Sequence, residues 1–228
     1  MNHSQLQVHG PVPEHRECFG VSGIFFEEEN MLKKCLTAVL AAGLFIGLTY
    51  AADEVKVLYG FENDAEVKDF KVNSGKGSIN DDERFASEGK KSLAVDFTTE
   101  GDYPGIYVGT HENVTTPIKG NWDGYDMLKL DIYNPGSETL HFNIRIDDEL
   151  STDMKSRFNS DEITVKPNWN KINILFKKLK TYDKAKPRKI DITKIKLLAI
   201  FTDNKSLKQE ATLYFDNIRL EKKEEKKE

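Results

Sequence analysis

The chain has 228 residues, 33 Lys or Arg against 38 Asp or Glu, and a formal net charge of -5 at pH 7. A balance this near neutral lacks the basic surplus that phosphate contacts need, which argues against a nucleic-acid binder. Both cysteines, Cys18 and Cys35, fall early, so the rest must fold on its hydrophobic core without disulfides, as a domain of this size can.

In chain order the first organised segment is an export signal that starts well inside the sequence. Lys33 and Lys34 follow Met31 as a basic n-region, and Leu36 to Leu48 is an apolar run of thirteen residues. A bilayer span needs about 20 apolar residues, so this run has the length of a signal-peptide h-region. Thr49-Tyr50-Ala51 supplies the small residue for cleavage. The signal peptide is therefore assigned to residues 31–52, with an uncleaved anchor as the rival reading. Residues 1–30 have no periodicity and are given no fold; either translation starts at Met31 or they form a long n-region. Cys35 precedes the apolar run, which argues against lipid attachment there. The mature chain is expected in the periplasm or outside the cell, without a membrane span.

From Val55 onward the dominant pattern is period two, the signature of half-buried strands. Leu93, Val95 and Phe97 alternate with Ala94 and Asp96; Leu128, Leu130 and Ile132 alternate with Lys129, Asp131 and Tyr133. Phe142, Ile144 and Ile146 alternate with His141, Asn143, Arg145 and Asp147. Shorter runs cover residues 105–110, 162–165, 171–176, 194–202 and 211–220. Turn chemistry separates them at Ser87-Glu88-Gly89-Lys90, Tyr103-Pro104-Gly105, Trp122-Asp123-Gly124, Asn134-Pro135-Gly136 and Lys166-Pro167-Asn168. Helix is confined to short turns near residues 64–70 and 191–194. About nine or ten strands at this spacing predict an all-β, antiparallel β-sandwich of the jelly-roll type over residues 53–220. Residues 221–228 are all charged and read as a solvated tail.

Several segments, in this order, resemble the galactose-binding-domain-like jelly rolls that serve as carbohydrate-binding modules. They are Leu58-Tyr59-Gly60-Phe61-Glu62-Asn63, Ser87-Glu88-Gly89-Lys90-Lys91-Ser92-Leu93 and Asn121-Trp122-Asp123-Gly124-Tyr125-Asp126. Asn168-Trp169-Asn170-Lys171-Ile172 and Leu213-Tyr214-Phe215-Asp216-Asn217-Ile218-Arg219-Leu220 complete the set. The resemblance implies a structural calcium between the first and last strands, with Glu62 and Asp216 as ligands and carbonyls of the Glu88 to Ser92 turn beside them. The bland alternative is that both carboxylates cap turns. For Trp122 and Trp169 the resemblance implies packing against the sheet in preference to stacking on a sugar.

The polar face of the strand from His141 to Asp147 carries the binding expectation. His141, Asn143, Arg145 and Asp147 point away from the core, and Arg145 with Asp147 could chelate neighbouring sugar hydroxyls, a planar donor beside an acceptor. Tyr107 or Tyr133 would supply a stacking platform, and Arg157 and Phe158 would close the rim. The competing reading is a solvated face with cross-strand ion pairs. Catalysis has few parts available. After the signal only His111 and His141 remain as histidines, there is no Gly-x-Ser-x-Gly elbow, and neighbouring acids on a strand face opposite ways. A polysaccharide lyase using Tyr and Arg is the enzyme alternative. The expected function is noncatalytic binding of a poly- or oligosaccharide, with recognition of envelope or other extracellular proteins as the runner-up.

Overall fold

The computed structural model describes residues 55–109 and 115–223, all within the compact unit Tyr50–Glu228. The export signal expected at residues 31–52, residues 1–30 and the last five residues of the charged tail lie outside the described residues. The strands in chain order are β1 (Val55–Tyr59), β2 (Phe70–Asn73), β3 (Gly75–Asn80), β4 (Ser92–Phe97), β5 (Gly105–Val108), β6 (Met127–Asn134) and β7 (Leu140–Asp148). They continue with β8 (Phe158–Asn159), β9 (Ile163–Val165), β10 (Asn168–Leu175), β11 (Lys180–Thr181), β12 (Ile195–Phe201) and β13 (Ala211–Glu221). The first sheet runs β10-β6-β13-β4-β3, with β1 sharing the edge of β13 that β4 uses. The second runs β11-β8-β7-β12-β5-β2, with β9 beside β8 on β7. Every pairing is antiparallel, and the two sheets face each other as an open sandwich.

Sequence periodicity predicts fewer strands than the thirteen found. β2 and β3 are not among the predicted runs, because Phe70-Lys71-Val72-Asn73 and Gly75-Lys76-Gly77-Ser78-Ile79-Asn80 offer too few apolar positions to show alternation. β8 and β11 have two residues each, shorter than one period. Helix among the described residues consists of single 3-10 turns, such as Ile192–Lys194, where Asp191 accepts the Thr193 N–H at 3.1 Å.

The core lies between the sheets. Leu128, Leu130 and Ile132 of β6 meet Phe142, Ile144 and Ile146 of β7 and Leu198 and Ile200 of β12 in one apolar cluster. Burying each such side chain contributes about 1.5–3 kcal/mol. In β13 the alternation slips: Leu213 and Phe215 point inward, then Ile218 and Leu220. A bulge between Asp216 and Arg219 absorbs the extra residue, with Asn217 at φ +50°, a left-handed setting that Asn tolerates.

The strand β13 also claims Glu221, which the sequence assigned to the tail. Glu221 pairs in register with Met127 and Val55 and forms ion pairs with Lys129 and Arg219. Charge alone gave no hint that neighbours on both sides were waiting for it. No helix among the described residues is long and apolar enough to cross a membrane.

Candidate functional site

The outer faces of the two sheets differ in access. Across the first sheet lies the segment Glu83–Lys91, anchored at Ser87, whose Oγ donates to Asp131 Oδ2 at 2.9 Å. Phe85 from this segment stacks on Tyr214 with centroids 4.3 Å apart and tilts against Tyr133 at 5.1 Å. Tyr133 in turn meets Trp169 at 5.1 Å. Tyr133 therefore belongs to the first sheet and is not brought to the polar face of β7. Outward alternation places Tyr107 and Tyr133 alike, and only the sheet assignment separates them.

Among the described residues nothing covers the cleft on the outer face of the second sheet. Register aligns Tyr107 of β5, Ala199 of β12, Arg145 of β7 and Asn159 of β8 in one row across the strands. The next row contains Asn73, Gly105, Phe201 and Asn143. Ala199 and Gly105 are small, so the middle of the face is low, and the flanking turns rise around it. The result is a cleft of about 280 Å³ floored by Tyr107, Arg145, Asn159 and Phe201. Tyr103 and Tyr182 form its rims, 55% and 60% exposed, with Met154 beside them at 58%. Each rim is fastened by backbone groups. Asn73 Nδ2 donates to the Tyr103 carbonyl at 2.7 Å, and the Tyr182 N–H donates to the Arg157 carbonyl at 2.9 Å.

Arg145 is held from below. Its Nε donates to both oxygens of Asp147, at 2.9 and 3.0 Å, and the Asp147 side chain is only 2% exposed. Asp147 thus orients Arg145 and does not face a ligand as the expected hydroxyl acceptor would. The pair sits at i and i+2 on one strand face, the spacing that brings side chains together. Tyr107 keeps its proton well past neutrality, because burial raises its pKa against the opposing pull of Arg145 and Arg157. Its hydroxyl is therefore both donor and acceptor. In the same cleft Arg157 Nε and Asn159 Oδ1 are buried with no hydrogen-bond partner.

Of the remaining sequence-derived residues, Asn143 lies on the same face one step along β7, beside Phe201. His141 lies further out, with Nδ1 2.9 Å from Glu162 Oε1, and does not line the cleft. Phe158, expected at the rim, is fully buried because β8 turns it into the core. Trp122 is also buried, its Nε1 donating to the Ile118 carbonyl at 3.0 Å, whereas Trp169 remains 38% exposed on the first sheet. Tyr103, Tyr182, Met154 and Phe201 escaped sequence reasoning. Tyr103 and Tyr182 sit in turns, where alternation carries no information, although an aromatic beside Pro104-Gly105 is a readable hint.

Glu62 and Asp216 are engaged with the turn they were expected to share with calcium. Glu62 Oε1 accepts the N–H groups of Lys90 and Lys91 at 2.8 and 2.9 Å. Those bonds hold its carboxyl below the usual range. Asp216 Oδ2 accepts the N–H groups of Ser87 and Glu88 at 2.6 and 3.0 Å. Burial pushes the Asp216 carboxyl up against the pull of these donors. Gly89 makes the wrap feasible. Its φ is +63°, and a Cβ there would lie 2.3 Å from Glu62 Oε1. Calcium takes six to eight oxygens, yet the turn presents amide hydrogens to both carboxylates. Among the described residues no group of three or more His, Cys, Asp or Glu side chains has an arrangement that could hold a metal ion. As they stand these donors do not fit a calcium shell, and the two carboxylates close the turn themselves.

No protein-family model matches the chain, and no curated protein matches it. Solved structures do. A family 11 carbohydrate-binding module from Clostridium thermocellum, in complex with a beta-1,3-1,4-mixed-linked tetrasaccharide, is 19% identical with a TM-score of 0.51, over 74% of this chain and 95% of that one. A solution structure of CtCBM11 gives 18% identity and a TM-score of 0.53, over 77% of this chain and 99% of that one. An exo-beta-agarase gives 17% and 0.56 over 75% of this chain, which spans only 25% of the agarase chain. At 17% to 19% identity these likenesses show the fold: an antiparallel β-sandwich resembling carbohydrate-binding modules.

Proposed function

We propose that the chain is an exported, noncatalytic carbohydrate-binding module that takes a glycan in the cleft on the second sheet. The observation that carries this reading is the cleft's make-up. Two exposed tyrosines, Tyr103 and Tyr182, flank a floor of Tyr107, Arg145 and Asn159. An aromatic face packs against the C–H face of a pyranose, while guanidinium and amide groups match pairs of hydroxyls. The fold likeness to a module solved with a tetrasaccharide supports the same reading. A glycosidase needs two carboxylates facing each other across the bond, and no Asp or Glu lines this cleft. The rival reading, recognition of an extracellular protein, draws on Leu150 and Met154, which are exposed on one loop.

A glycan array probed with the chain and with Tyr182→Ala tests the proposal. The chain is expected to be retained on at least one glycan, and Tyr182→Ala to weaken retention about tenfold. Because Tyr182 is largely exposed, the variant's melting temperature should stay within a few degrees of the parent's. Failure of the folded parent chain to bind any glycan would overturn the reading.

A further inference from the structure

The cations in and around the cleft are unevenly satisfied. Five arginines lie among the described residues, and four have carboxylate partners: Arg84 with Asp82, Arg145 with Asp147, Arg188 with Asp148, and Arg219 with Asp131 and Glu221. Arg157 is the exception among them. It lines the cleft, none of the ion pairs found includes it, and its buried Nε has no hydrogen-bond partner. A buried donor left unpaired is destabilising, and more so when it is charged. Lys71 adds to the imbalance. It is exposed on β2, directly beside Tyr107, and no ion pair is found for it either. Lys180, at the opposite side of the sheet, is already matched to Asp161 at 2.9 Å.

From this we infer that the cleft selects an anionic glycan, with the Arg157 guanidinium receiving a carboxylate or sulfate borne by the sugar. The inference rests on the carbohydrate reading above and narrows it. A carboxylate or sulfate presents paired oxygens that match the planar fork of a guanidinium, at shorter and stronger hydrogen bonds than a neutral hydroxyl accepts. Arg145 is neutralised by Asp147 and suits hydroxyls; Arg157 keeps its full charge for the ligand. The absence of acids from the cleft's lining contrasts with a chain whose net charge is -5. The positive character is therefore local to the cleft, where an anionic polymer meets Arg157 with no acid in the lining.

The test uses matched pairs that differ in charge: polygalacturonate against its methyl ester, and κ-carrageenan against its desulfated form. Affinity electrophoresis of the chain through each polymer is expected to show at least tenfold stronger retention on one charged member than on its neutral partner. Raised salt should diminish that difference. Arg157→Gln should abolish the preference, and Arg157→Lys should restore part of it. A preference within the first pair identifies a carboxylate, and within the second a sulfate. Equal retention on charged and neutral members, unchanged in Arg157→Gln, overturns the anionic inference while leaving carbohydrate binding intact. No retention on any of the four overturns the anionic inference, and the carbohydrate reading then stands or falls on the glycan array. Appearance of unsaturated product from a charged polymer would show a lyase and overturn the noncatalytic reading alone.

Discussion

Asp148 is fully buried, and each of its oxygens is matched. Oδ1 accepts from Arg188 Nη2 at 2.6 Å and from Ser151 Oγ at 2.9 Å; Oδ2 accepts from Arg188 Nη1 at 2.6 Å and the Asp191 N–H at 2.9 Å. Arg188 also lies over the Phe158 ring at 4.4 Å and bonds the Ser156 carbonyl at 2.9 Å. This fastens both ends of the loop that presents Met154, and next to it Arg157, to the cleft. Burial raises the Asp148 carboxyl, but the hydrogen bonds from Arg188, Asp191 and Ser151 outweigh it and leave the pKa below its ordinary value. A lowered carboxyl contributes stability above the ordinary aspartate value of about 3.9 and loses it as pH falls through the folded value. Asp148→Asn is therefore expected to cost about 3–5 kcal/mol in denaturant unfolding at pH 7. Its deficit relative to the parent should shrink as acid protonates the parent's carboxylate, and a deficit constant with pH would refute the assignment. Glu62 and Asp216 give a second expectation at this scale. Because both already hold backbone N–H groups, the melting temperature should be the same in chelator and in millimolar calcium; a calcium-dependent rise would place an ion at this turn.

At the scale of elements, the last strand ties the sandwich together. β13 is flanked by β6 on one side and by β1 and β4 on the other, and its final residue, Glu221, is still paired on both sides. Lys223 continues the contact through its N–H, which donates to Asp126 Oδ2 at 2.8 Å. A chain ending at Leu220 is thus expected to be about 1–3 kcal/mol less stable in denaturant than one ending at Lys223. Equal stability would mean that these terminal pairs contribute nothing. The strands most visible in the sequence, β4, β6 and β7, are those with long alternation and one buried face. The least visible, β8 and β11, exist because β7 and its neighbours offer unpaired edge groups, a demand set by the sheet and not by their own residues.

At the scale of the whole molecule, the site follows from which outer face stays uncovered. The first sheet carries Tyr133, Tyr214 and Trp169, yet the Glu83–Lys91 segment lies across part of it, and Phe85 takes up the rings of Tyr133 and Tyr214. Among the described residues the second sheet has no such cover over Tyr107 and Arg145, and turns from opposite sides raise Tyr103 and Tyr182 around them. The residues alone determined the all-β class, the inward set of each long strand, the outward direction of Asn143 and Arg145, and a domain free of cysteine. Those properties are local: a period of two, turn chemistry and composition fix them without reference to partners. Only the tertiary structure decided that Tyr107 joins Arg145 while Tyr133 does not, and that Arg157 alone among the described arginines lacks a carboxylate. These depend on contacts between residues distant in sequence, where strand order, register and the path of one covering segment set the outcome.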